Sequence, residues 1–127
     1  MNIRILFLAV ITFMSIQIFS QQVAEISFDK TEHNYGEIPR KADGLSVFTL
    51  KNTGQKPVVI TNVQTSCGCT ATNWPKEPIM PGKEKTIEVL YDTKRLGFFS
   101  KTINVYNNSK TSPIVLTIKG NVIKETK

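Results

Sequence analysis

Ser46-Val47-Phe48-Thr49-Leu50-Lys51-Asn52 is the stretch that decides the fold. Successive side chains of an extended chain point to opposite faces, so Phe48 and Leu50 fall on one side, with Val47, Thr49 and Lys51 on the other. This is the pattern of a half-buried strand. The same period of two returns in Thr86–Asp92, where Ile87, Val89 and Tyr91 share a face. It returns in Phe98–Tyr106 through Phe99, Ile103 and Val105, with Lys101 between them, and in Pro113–Val122 through Ile114, Leu116 and Ile118, with Gly120 ending the face. Val58-Val59-Ile60 and then Val63 shift phase once, which predicts a bulge. Ala24–Phe28 and His33–Ile38 are two further short strands.

The residues between these segments agree. Asn52-Thr53-Gly54-Gln55-Lys56-Pro57, Pro81-Gly82 and Asn107-Asn108-Ser109-Lys110 carry the composition of turns. After Gln21, every stretch of a dozen residues with apolar positions at helical spacing is interrupted by Gly, Pro or Asn. Short strands recurring at roughly 8- to 12-residue spacing and joined by such turns predict an all-β fold: a single antiparallel immunoglobulin-like β-sandwich of about seven strands. Trp74 follows both cysteines and stands in the Pro-containing stretch 73–81, so it is expected to cover one end of the sandwich.

The chain has 127 residues, with 16 basic against 10 acidic side chains and a net charge of +6. That is one small domain, large enough for one core and too small for a multidomain enzyme. Its first 20 residues differ from the rest. Arg4 is their one charge and precedes the apolar run Ile5–Met14, which has the length of a secretory leader core and is short for a membrane-spanning helix. The expected organisation is a signal peptide over residues 1–20 and a sandwich domain over 21–127, located in the periplasm or outside the cell. Ser20 is the small residue expected before the cut, while Ile18 is larger than such a site prefers. The competing reading is an uncleaved anchor. Once the leader is removed, no stable membrane insertion is expected.

Chemistry concentrates at Ser66-Cys67-Gly68-Cys69-Thr70, at the end of a strand. In an extended chain the sulfurs of Cys67 and Cys69 point to one side, with Cα atoms about 6.6 to 6.8 Å apart. A disulfide takes Cα separations of roughly 4.4 to 6.8 Å, so a bridge requires the bend that Gly68 permits. Three readings remain open: a redox-active or labile dithiol, a soft-metal pair such as one for Cu(I), and a structural pair packed at the sandwich end. On the structural reading, replacing both by Ser costs about 1 to 3 kcal/mol each.

Other chemistry finds little support in the residues. Structural zinc takes four ligands, and Cys67, Cys69 and the single His33 are the typical donors here. His33 is read as an exposed strand residue and Met80 as a packing residue. One His allows one possible triad base, with no Gly-x-Ser-x-Gly elbow beside it. The chain is therefore expected to be no enzyme, with no catalytic residue, no metal ligand set and no cofactor. Residues 44–127 carry 12 basic against 5 acidic side chains, but dispersed, so no nucleic-acid partner is expected.

The ordered series Tyr35-Gly36-Glu37-Ile38, Phe48–Gly54, Pro57–Val63, Ser66–Thr70, Ile79-Met80-Pro81-Gly82 and Leu116–Val122 resembles the bacterial exported domain of unknown function numbered fifteen seventy-three. The resemblance covers nearly all of the chain after the leader. It implies an immunoglobulin-like sandwich similar to hydin-type and major-sperm-protein-type domains, which are mostly interaction modules, and it assigns no role to Cys67 and Cys69. The resulting expectation is a binding or assembly module of the cell envelope whose partner is an envelope protein or glycan. The alternative is a thiol-redox or copper-handling protein acting through Cys67 and Cys69.

Overall fold

The structure is a computed structural model that describes residues 23–125. The signal peptide expected over residues 1–20, with its cleavage point, falls outside the described residues. Eight strands follow in order: β1 (Ile26–Phe28), β2 (Glu32–Pro39), β3 (Leu45–Asn52), β4 (Ile60–Thr65), β5 (Thr70–Asn73), β6 (Glu84–Tyr91), β7 (Gly97–Asn107) and β8 (Ile114–Ile123). They form two four-stranded sheets, ordered β1-β3-β6-β5 and β2-β8-β7-β4. The expected immunoglobulin-like sandwich is formed, with one strand more than the period shows. The addition is β5, whose Thr-Ala-Thr-Asn sequence has no large apolar residue to mark a face. Pairing with β6, from Thr70↔Tyr91 to Asn73↔Glu88, makes it a strand.

All pairs are antiparallel except β2–β8, which is parallel. The reason lies in the link between β1 and β2, which crosses from one sheet to the other without a hairpin. Asp29 pins it to β3, its amide donating to the Thr49 carbonyl at 2.9 Å and its carboxylate accepting from the Thr49 amide at 2.9 Å. The Thr31 carbonyl then accepts from the Thr117 amide at 2.8 Å and starts β2 alongside β8.

The inward rows meet as the alternation requires. Phe48, Leu50, Ile87 and Val89 from one sheet and Ile103, Val105, Leu116 and Ile118 from the other are fully buried. Val58 and Ile79 close one end through mutual backbone hydrogen bonds of 2.8 Å. The register shift between Ile60 and Asn62 is the bulge that the phase change predicts. Trp74 is half-buried against the core, with Lys76 Nζ 3.1 Å from its ring centroid.

Gly120 does not end the inward face of β8. The strand continues through it to buried Val122. A Cβ there would stand 3.0 Å from Tyr35 Cβ and 3.1 Å from Phe99 Cε1, so β2 and β7 approach β8 closely only because the residue is glycine. Asn52 is a fully buried polar anchor of the core. Its Nδ2 donates to the carbonyls of Lys56 (2.7 Å) and Ile79 (2.9 Å), while its Oδ1 accepts from the Gly54 amide (2.9 Å). One buried side chain thereby fixes the turn after β3 and the connection before β6.

A disulfide corner beside an apolar groove

β4 and β5 lie in different sheets, and Ser66–Cys69 carries the chain between them. This corner is held on both sides. The Ser66 amide donates to the Thr102 carbonyl (3.0 Å), and the Thr102 amide donates to Ser66 Oγ (3.1 Å). Thr65 Oγ1 donates to the Cys67 carbonyl (2.9 Å), and the Asp92 amide donates to the Cys69 carbonyl (2.9 Å). The bend brings the Cα atoms of Cys67 and Cys69 to 5.3 Å, and their sulfurs form a disulfide.

The two sulfur-bearing residues have different surroundings. Cys69 is buried, at 6% exposure, and Cys67 is half-buried between exposed Ser66 and Gly68. Cys67 Sγ accepts a hydrogen bond from the Cys69 amide at 3.3 Å. Thr70 Oγ1 lies 3.7 Å from Cys67 Sγ and 3.9 Å from Cys69 Sγ. In this state neither sulfur is a thiolate, so the pair presents no soft-metal donors until the bond opens. Met80, at 54% exposure, stands in the β5–β6 connection, and His33 is on β2. Among the described residues, no three His, Cys, Asp or Glu side chains are grouped to hold a metal ion.

Next to the corner lies a groove of about 570 Å³, lined by Gly44, Gly68, Cys69, Ala71, Leu90 and Asp92 among others. Beneath it Tyr91 stacks on Phe99 across the two sheets, with ring centroids 3.8 Å apart and planes at 13°. Phe99 meets Tyr35 at 5.6 Å, and Tyr35 meets His33 edge-on at 4.5 Å. Burial pushes the Tyr91 phenol above its ordinary value, against the opposing pull of Arg95. Burial likewise raises Tyr35, whose hydroxyl donates to the Gly44 carbonyl at 2.6 Å. His33 is half-buried rather than exposed. Desolvation first, and then the Lys30 ammonium 3.0 Å from its Nδ1, lower its pKa.

Cys67 and Cys69 stand out in the sequence, whereas the apolar row beside them does not. Leu45, Leu90 and Ala71 form one cross-strand row on the outer face of β3, β6 and β5, and all three are exposed. Their signal was present in the sequence: in Leu45-x-Val47 and at Leu90 the outward positions of alternating strands are apolar as well.

Residues 26–122 match a family model described as a protein of unknown function, DUF1573. No curated protein matches the sequence. Solved structures share the architecture. A Porphyromonas gingivalis protein of unknown function aligns at a TM-score of 0.67 and 16% identity, over 80% of this chain and 47% of its own. This chain thus spans just under half the length of that protein. The ASH/PapD-like domain of human CEP192 aligns at 0.68 and 7% identity, over 82% of this chain and 89% of its own. A chain of the CsuC–CsuE chaperone–tip adhesion subunit pre-assembly complex of Acinetobacter baumannii aligns at 0.56 and 13% identity, over 78% and 57%. At such identities the likeness is one of fold. The match over residues 26–122, which spans nearly all of the two-sheet sandwich, places this chain in the DUF1573 family.

Proposed function

We propose that this protein is an exported, non-enzymatic binding or assembly module of the cell envelope, and that it takes an extended segment of an envelope protein as an added strand along β5. The observation that carries this reading is the row Leu45–Leu90–Ala71, which runs in register across the outer face and ends on an edge strand. An edge offers unpaired backbone groups to an incoming strand, and alternate side chains of that strand would rest on the apolar row. The other edges are guarded. β2 carries Glu32 and Glu37 and a register shift, β4 carries the bulge after Ile60, and β1 has three residues. β5 is uncharged and its pairing is regular. The apolar leader after Arg4 supports export, and the shared architecture with a chain of a chaperone–adhesin complex is consistent with an assembly role.

The test is position-resolved photo-crosslinking of the full chain in its native cells, with the photoreactive residue at 71, 73 or 119. Adducts from 71 and 73, mapped by mass spectrometry to one extended protein segment and absent at 119, are the expected result. Leu90→Lys should remove them. Adducts to glycan, or equal adducts at all three positions, would overturn the reading. Cell fractionation checks export, and retention in the cytoplasm would refute it.

A further inference from the structure

We infer that Cys67–Cys69 is an exchange-active disulfide that accepts two electrons from a dithiol protein through a mixed disulfide formed at Cys67. The inference does not depend on strand addition at β5.

Four observations converge on it. The bridge closes a loop of three residues, the sequence separation being two, so it constrains the unfolded chain far less than a long-range disulfide. Fold maintenance is a weak reason for such a bond. The corner is instead fixed by hydrogen bonds that do not involve the sulfur–sulfur bond: Thr65 to Cys67, Ser66 with Thr102 in both directions, and Asp92 to Cys69. The two sulfurs therefore stay close when the bond opens, ready to close again. Access is one-sided, since Cys69 is buried and Cys67 is half-buried. A Cβ built on Gly68 would meet nothing within 4 Å, so the approach beside Cys67 is clear. Finally, donors for a thiolate are already in place. The Cys69 amide points at Cys67 Sγ, and the Thr70 hydroxyl lies within reach of both sulfurs. Hydrogen bonds to the charged form favour it.

The exchange then proceeds in two displacements. A thiolate of the dithiol partner attacks Cys67 Sγ, the Cys67–Cys69 bond breaks, and Cys69 leaves as a thiolate within reach of the Thr70 hydroxyl. The partner's second thiol, as a thiolate, attacks its own sulfur in the mixed disulfide and releases Cys67, whose thiolate accepts from the Cys69 amide. The partner ends oxidised and this chain reduced, and the two protons of the partner's thiols reside on Cys67 and Cys69. Run in reverse, Cys67 is the nucleophile and Cys69 the resolving sulfur. The mixed disulfide lies on Cys67 in both directions, as microscopic reversibility demands.

The experiment treats the oxidised full chain with reduced glutathione in native buffer, quenches with acid and maps the glutathione adduct by mass spectrometry. Wild-type protein should carry its adduct at Cys67. Cys69→Ser should accumulate a stable Cys67 adduct on reaction with oxidised glutathione. Cys67→Ser should react at Cys69 at least about ten-fold more slowly, because that sulfur is buried. Adducts distributed equally between the two cysteines, or reduction that occurs only after urea unfolding, would overturn the inference. The wild-type mapping decides the matter should either variant fail to fold.

Discussion

Replacing both Cys67 and Cys69 by Ser separates the energy of the bond from the energy of burial. The bridge spans three residues, and the loop-entropy relation for that length gives about 1.6 kcal/mol. Cys69 is buried, so a hydroxyl in its place costs about 1 to 3 kcal/mol unless Thr70 or a neighbouring carbonyl satisfies it. Cys67 is half-buried, and a hydroxyl there stays within about 0.5 kcal/mol. The structure thus reduces the two burial terms expected from the sequence to one. The double variant should lose roughly 2.5 to 4.5 kcal/mol by these terms, a large share of the stability of about 5 to 15 kcal/mol usual for a small domain. Urea unfolding monitored by the fluorescence of Trp74 measures it. The single variants sharpen the test, since both lose the bond and only Cys69→Ser places a hydroxyl in the apolar site. Cys69→Ser should therefore be less stable than Cys67→Ser by about 1 to 3 kcal/mol. Equal midpoints for the two single variants, or a double variant within about 0.5 kcal/mol of the parent, would rule out this division between bond and burial.

Three further outcomes follow from other parts of the molecule. Asn52→Ala removes three hydrogen bonds from a fully buried side chain. The Ile79 carbonyl keeps its bond from Val58, so the loss should be about 2 to 3 kcal/mol, read as a lower urea midpoint at unchanged slope. Gly120→Val forces new atoms against Tyr35 and Phe99 and should cost about 1 to 3 kcal/mol or more in the same assay, with Gly120→Ala intermediate. His33 is the single histidine, and its pKa in the folded chain lies below the ordinary 6.5. The unfolded chain therefore takes up its proton first, and this contribution to stability, complete above about pH 6.5, is lost as pH falls through the lower folded value. His33→Gln should flatten the fall in urea midpoint between about pH 7 and pH 5, and an identical pH profile would contradict the assignment.

The strands that build the core were legible because their information is local. Phe48 and Leu50, Ile87 and Val89, and Leu116 and Ile118 are each separated by one polar residue, and this period of two specifies both the strand and its buried face without knowledge of the partner. The bulge after Ile60 was legible for the same reason, as a phase shift in one apolar series. Cys67 and Cys69 stood out because two cysteines around a glycine are rare in composition and specific in geometry. What remained hidden depends on residues distant in the chain. β5 has no apolar period of its own and becomes a strand through its pairing with β6. The parallel pairing of β2 with β8 follows from a crossing between sheets, which no local pattern encodes. Gly120 looks like a terminator in sequence, yet in the fold it is the gap that lets Tyr35 and Phe99 close over β8. The sequence also determined that Leu45, Ala71 and Leu90 are apolar and that Cys67 and Cys69 lie close together. Only the tertiary structure placed the first three in one exposed row and gave the two sulfurs unequal burial, because exposure is a property of what packs across the chain and not of the residue that is exposed.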